Sequence, residues 1–428
     1  MRSTWTLLLV VPMLAAEGEE CEPATDADSD GWIICTADQD QFSGVCDCDD
    51  SNALIYPGAK ETNSKYDDDC DGAPEWTSST NLSDKYYVYF SSCVVSADGQ
   101  LLAATSPLGV FIFTEFGNEA GWFSVYDEQG NECSTVASVN WPQGASTICG
   151  YADEDQPPDG ICLAGLDEGM MQYSSTLLYK STLQYCTDAI TSESGGLLVA
   201  GGFTDSVTDP EFGPLLFNLT SEGQVVWTYS GQPRLQLQTL SVTEGLSGAT
   251  FVGGLQTLVS SVDYRPWIER ISSDGLLESD WFDWPEIPIM PHGMLTPWDG
   301  DIVLYGTDED GCFAVGRFTE DLDPIWLWQR PSGECLGVAN AGVETFTGDL
   351  AIVGAQADGS GGWCGLAYVL SPFGEMLIES RPCQRDGFFG VVQMPDGGFV
   401  MTGQTDYKEG FILRMDKYLN VPPGSTPN

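Results

Sequence analysis

The sequence predicts an all-β chain: a seven-bladed β-propeller preceded by a small, irregular, disulfide-stapled N-terminal module. Three observations carry that reading. A glycine-punctuated apolar pattern recurs seven times beyond residue 84. Gly 49 and Pro 24, with only 18% charged residues, favour short strands and turns over helices. Acid is concentrated ahead of the repeats: residues 17–75 hold 18 acidic and 2 basic side chains with five cysteines, against 46 acidic and 12 basic in residues 76–428.

In chain order, residues 1–18 come first. Arg2 precedes an apolar run from Trp5 to Leu14, and Ala15-Ala16 follows, which reads as a secretory signal. Gly18-Glu19-Glu20 puts charge where a lipid-anchor signal at Cys21 would need small apolar residues. No later stretch approaches the twenty apolar residues of a membrane span. The expected location is secreted, extracellular or at the cell surface, with the periplasm as the alternative. Export makes the 14 cysteines disulfide candidates. The net charge of −49 sets aside nucleic acid and anionic lipid as partners. A single histidine, His292, removes most zinc, copper and haem sites and most Ser–His or Cys–His catalysis.

Residues 19–73 form the acidic module, too small for an apolar core of its own. Asp26, Asp28 and Asp30 with Gly31 occupy positions 1, 3, 5 and 6 of an oxygen-ligand calcium loop, where alternate carboxylates converge on one ion and glycine allows the sharp turn. Asp67, Asp69 and Asp71 with Gly72 repeat the pattern. Between them, Asp50, Asn52 and Glu61 sit at loop positions 1, 3 and 12. Ala37 occupies the first loop's twelfth position, so Asp38 or Asp40 must close it. Ca²⁺ is the cofactor this spacing predicts; a merely solvated acidic linker is the plainer reading. Cys48–Cys70 would tie the central segments, with Cys35–Cys46 next.

The stretch 26–72 resembles the MopE-like "putative metal-binding motif" family of secreted bacterial proteins, and the thrombospondin type-3 calcium repeats. It carries Asp26 to Gly31, the core Asp47-Cys48-Asp49-Asp50, Ile55-Tyr56-Pro57-Gly58-Ala59-Lys60-Glu61, and the closing Asp67 to Gly72. The resemblance implies metal ligation and adds Asp47 and Asp49 to the ligand set. It departs at Thr62-Asn63-Ser64, where the family has a cysteine. The copper associated with one member is not expected here, because the module holds no histidine.

Residues 74–420 are the predicted propeller, and 421–428 a C-terminal tail. The pattern x-G-x-apolar-apolar-apolar-x-G places its first glycine at Gly99, Gly144, Gly195, Gly248, Gly300, Gly348 and Gly397, and a second six residues on in every repeat but the first, which has Thr105. A period near fifty with glycine-bounded strands indicates propeller blades and resembles secreted bacterial kelch-like and DGG-repeat propellers. The last repeat lacks a fourth strand beyond residues 411–415. Residues 74–80, which have no repeat to join, are expected to supply it. Cys162, Cys312 and Cys364 open third strands, while Cys186, Cys335 and Cys383 open the following repeats. This recurrence suggests Cys162–Cys186, Cys312–Cys335 and Cys364–Cys383 as clips. Pairings of Cys21, Cys93, Cys133 and Cys149 stay open.

No nucleophile elbow, P-loop or HExxH occurs. Trp227, Trp281, Trp284, Trp326 and Trp328 fall on outer strands and are expected to pack. His292 reads as a loop or strand-start residue. Acidic loops at 153–159, 205–211 and 308–310 would share one face, serving solubility or docking a basic protein or a calcium-bridged glycan. The expected function is a secreted calcium-binding protein whose propeller is a non-catalytic binding or surface-interaction domain for an extracellular protein or glycan. The alternative is an extracellular carbohydrate-active propeller enzyme, a hydrolase or lyase, whose mark would be two carboxylates and an arginine in the central cleft. A monomer is expected.

Overall fold

The computed structural model describes residues 27–28, 32–33, 47–49, 51–57, 59, 70, 76–79, 89–95, 100–106, 109–114, 119–126, 132–140, 146–152, 161–166, 172–178, 183–204, 211–235, 237–257, 264–282, 289–330, 336–357, 362–382, 387–404 and 410–420. Residues 1–18, expected to be a secretory signal, the tail 421–428 and the acidic loops at 153–159 and 205–210 lie outside them. The described architecture is an all-β β-propeller, and among these residues no helix is long and apolar enough to cross a membrane.

Strand β1 (Trp76–Ser79) opens the ring but belongs to its last sheet. Six antiparallel sheets are then each built from one contiguous stretch of chain. The first is β2 (Tyr89–Val95), β3 (Leu101–Ser106), β4 (Gly109–Phe113) and β5 (Glu119–Phe123). The second is β6 (Val125–Tyr126), β7 (Glu132–Asn140), β8 (Ser146–Ala152), β9 (Ile161–Leu166) and β10 (Gln172–Leu178). The third is β11 (Leu183–Thr191), β12 (Leu197–Thr204), β13 (Glu211–Leu219) and β14 (Val225–Ser230), with the short β15 (Arg234–Leu235) against β13. The fourth is β16 (Leu237–Glu244), β17 (Thr250–Thr257), β18 (Tyr264–Ile271) and β19 (Leu277–Phe282). The fifth is β20 (Met290–Leu295), β21 (Ile302–Thr307), β22 (Phe313–Phe318) and β23 (Pro324–Gln329). The sixth is β24 (Gly337–Glu344), β25 (Leu350–Ala357), β26 (Trp363–Leu370) and β27 (Met376–Ser380).

One further sheet is composite. β28 (Gly387–Gln393), β29 (Phe399–Gln404) and β30 (Gly410–Met415) take β1 as their fourth strand, with Trp76 opposite Arg414 and Ser79 opposite Phe411. The innermost strand of each sheet packs on the sheet before it, and β2 packs on β28 and β29, so the ring closes.

The sequence dictates this layering. Middle strands are apolar on both faces and wholly buried, as in β12, β22 and β30, because each sheet is covered on both sides by its neighbours. The cores lie between sheets: Leu198, Leu216, Val252 and Trp267 fill one gap, and Val303, Phe313, Ile352 and Tyr368 another. Outer strands such as β14 and β23 alternate half-buried with exposed positions. Trp227 and Trp326 close the pattern by lying on Gly275 and Gly374 of the next sheet and donating their indole N–H to Ser273 O (2.9 Å) and Pro372 O (2.8 Å). Trp281 and Trp328 also sit on outer strands against core side chains, while Trp284 lies outside the described residues. The repeat glycines Gly195, Gly248, Gly300, Gly348 and Gly397 turn between first and second strands at φ from 76° to 93°, a left-handed conformation that favours glycine.

Candidate functional site

Two places concentrate polar chemistry. The first is the N-terminal module, where Cys48 and Cys70 form a disulfide (Cα–Cα 5.6 Å). Asp47 is fully buried beside it, and Asp47, Cys48 and Cys70 bring their potential ligand atoms within 4.8 Å of one another. The two sulfurs are spent in the bridge, so thiolate ligation is closed and the donors left are oxygens. Successive side chains fold back on the backbone: Asp47 Oδ1 accepts from Asp49 N (2.8 Å), Asp49 Oδ1 from Ser51 N (3.3 Å) and Ser51 Oγ (2.6 Å), and Asn52 Oδ1 from Leu54 N (3.4 Å). Ile55, Pro57 and Ala59 bury a small apolar underside. Such a set fits a hard, oxygen-liganded cation and not a soft one.

Of the expected ligands, Asp28, Asp47, Asp49 and Asn52 are described. Asp26, Asp30, Asp38, Asp40, Asp50, Glu61, Asp67, Asp69 and Asp71 lie outside the described residues, as do Cys35 and Cys46. Cys186, Cys312 and Cys364 are each disulfide-bonded. The side chains expected to pair with them, those of Cys162, Cys335 and Cys383, lie outside the description. Cys93 is a buried free thiol whose pKa burial raises to about 12.

The second place is the central channel. Among the described residues the innermost strand of each sheet carries a β-bulge, at Ser91, Val136, Thr187, Leu240, His292, Asn340 and Phe389. Each lies eight residues before the repeat glycine, as Thr187 does before Gly195 and His292 before Gly300. All but Val136, whose side chain is outside the description, line a cavity of about 700 Å³. His292 is therefore a channel residue of β20 and not the loop or strand-start residue the sequence suggested. Burial lowers its pKa and keeps the imidazole neutral. The bulge also explains the second repeat glycine. Gly201, Gly254, Gly306, Gly354 and Gly403 pair with the residue just before the bulge, and a Cβ there would fall 1.8 to 2.0 Å from a carbonyl oxygen of the inner strand.

Above the bulges the wall holds Asp188. Its Oδ1 accepts from Ala189 N (2.9 Å), and its Oδ2 from Ser241 Oγ (2.8 Å) and Val242 N (3.0 Å). Ser241 Oγ accepts in turn from Met294 N (3.1 Å), so one carboxylate joins three sheets. Desolvation raises the Asp188 pKa to about 6, against the pull of those donors. Towards the turn tips, Glu193 N donates to Glu244 Oε2 (2.7 Å) and Trp298 N to Glu344 Oε2 (2.8 Å). Glu193, Glu244, Leu246 and Trp298 all border the cavity, so it opens on the face of these turns. The described lining contains three carboxylates and no arginine or lysine. Sequence reasoning missed Asp188, Ser241, Glu193, Glu244 and Trp298. The signal that could have found them is the fixed offset from the repeat glycine.

Residues 47–75 match the family model described as "Putative metal-binding motif". No curated protein sequence matches the chain. Among solved structures, it is similar to the WD40 β-propeller domain of Doa1 (11% identity, 79% of this chain and 96% of that chain, TM-score 0.51). It is similar also to BBS1N in complex with ARL6DN (11% identity, 82% of this chain and 96% of that chain, TM-score 0.51). At such identity these likenesses bear on the fold alone. The chain thus carries a metal-binding motif of the MopE type at residues 47–75, followed by a β-propeller.

Proposed function

We propose that this is an exported calcium-binding protein whose propeller, each sheet counted as one of seven blades, serves as a binding domain for an extracellular protein or glycan. The observation that carries the reading is the donor set of the metal-binding motif. With Cys48 and Cys70 joined, residues 47–75 offer carboxylate and amide oxygens but no thiolate and no histidine, and Ca²⁺ is the common biological cation such a set suits. Export agrees with several disulfides spread over both parts of the chain. Metal binding would supply much of the module's folding free energy, since its apolar underside is small.

Calorimetric titration of the full chain with CaCl2, disulfides intact, tests this. The expected result is saturable heat with protection of residues 19–73 from proteolysis, weakened at least tenfold by Asp47→Asn or Asp69→Asn. MgCl2 is expected to bind more weakly, because Mg²⁺ demands tighter octahedral geometry. No heat and no protection at millimolar calcium would overturn the reading, and tight Cu²⁺ binding with none of Ca²⁺ would replace the metal.

A further inference from the structure

The described lining of the central channel shares no residue with the metal-binding motif. The channel's volume, about 700 Å³, is that of a small-molecule site. Asp188 stands in its wall and Glu193 and Glu244 at its mouth, with no arginine or lysine among the described lining. His292 adds no positive charge, since burial holds it neutral. Elsewhere in the ring, buried guanidiniums face carboxylates from within the chain: Arg317 faces Asp299 and Asp301, Arg414 faces Asp396, and Arg330 faces Glu379. Among the described residues, the channel lining holds no such cation. Its potential is negative, and low-dielectric walls focus it, which disfavours phosphates and carboxylates as ligands and favours a cation.

The mouth specifies the kind of cation. Trp298 is 84% exposed, a large apolar surface left in water at the rim. The turn that carries it is anchored. The Trp298 backbone N–H is bonded to Glu344, and Leu246 presses on Gly300 of the same turn so closely that a Cβ there would lie 2.6 Å from Leu246 Cδ1. An exposed indole at the mouth offers the apolar body of an organic cation a flat surface to pack on. A bare metal ion would gain nothing from it. Lower down, Asp188 is fixed by donors from two sheets and presents a placed acceptor.

We propose that the channel binds an organic ammonium compound, its charged head at Asp188 and its apolar body along Leu240, Leu246 and Trp298.

The test titrates the full chain, in EDTA to silence the metal-binding motif, with 2-phenylethylammonium and with its neutral isostere 2-phenylethanol. Tryptophan fluorescence and calorimetry are the readouts. The ammonium is expected to bind, the alcohol at least tenfold more weakly. Asp188→Asn should abolish the difference, whereas Glu222→Gln, an exposed carboxylate far out on a turn, should leave it intact. Trp298→Ala alters an exposed side chain, so it tests the site even if Asp188→Asn fails to fold; it should weaken the ammonium about fivefold. Equal binding of the alcohol, absence of ammonium binding, or unchanged affinity in both folded variants overturns the proposal. So does equal weakening by Glu222→Gln, which would mean attraction to the bulk negative charge alone.

Discussion

Glycines in this protein serve two unlike purposes, and substitution separates them. Gly254 faces the Gln238 carbonyl, which a Cβ would approach to 2.0 Å, and backbone atoms cannot step aside. Gly254→Ala is expected to cost about 3 kcal/mol or more in denaturant unfolding. Gly223 has φ +78° and nothing within 4 Å of a Cβ, so Gly223→Ala meets only left-handed strain, about 1 kcal/mol. Comparable losses for the two would refute the bulge explanation of the repeat. Asp188 makes a prediction about pH. Its pKa is raised from 3.8 to about 6, so between these values the folded chain holds a proton that the unfolded chain has released. Stability from this group therefore falls as pH rises through about 4 to 6, and is level above. Glu269, raised to about 7 by desolvation, tilts the same way over a slightly higher window. The difference in unfolding free energy between wild type and Asp188→Asn should change by no more than about 2 kcal/mol across pH 4 to 6, because the group is only half-buried. A constant difference would show that Asp188 keeps an ordinary pKa.

At the scale of the element, the strands were legible and the bulges were not. The repeat glycines Gly195 to Gly397 fix the turn between first and second strands because only a left-handed turn fits there, and glycine advertises it. Continuous apolar runs such as 197–204 announce burial on both faces. A bulge leaves no such mark, since it depends on which residue faces which across the ladder. It also shifts the in–out alternation by one residue, which is why His292 read as a peripheral residue and Asp188 went unnoticed. The outer tryptophans were legible as packing, but that Trp227 and Trp326 cap turns of the following sheet depends on ring order. In the module, the Cys48–Cys70 bridge was legible, because the two cysteines flank the central acidic segments. Cys93 offers a check on the first sheet. A thiol raised to about 12 by burial should resist iodoacetamide in the native state at pH 8 and react once unfolded. Rapid native labelling would show β2 to be loosely held.

The ring as a whole depends on its join. Six sheets are locally complete, but β28, β29 and β30 end with an open edge at β30, and that edge is covered by β1 from the other end of the chain. The four paired positions, Trp76 with Arg414 through Ser79 with Phe411, link residues more than 330 apart in sequence. Closing so long a loop costs conformational entropy that the β1 ladder and the packing of β2 on β28 and β29 must offset. In return no unpaired edge remains at the join to recruit other chains. Deleting residues 74–80 should therefore lower the melting temperature of the entire propeller and raise its tendency to aggregate. Deleting 19–72 should leave the melting temperature unchanged, because the ring's ladder is intact without the metal-binding motif. Both deletions remove negative charge or leave it nearly constant, so neither effect can be charged to self-repulsion if the melts are run at about 0.5 M salt. A propeller that melts at the wild-type temperature without residues 74–80 would mean that the sheets' face-to-face packing alone holds the ring shut.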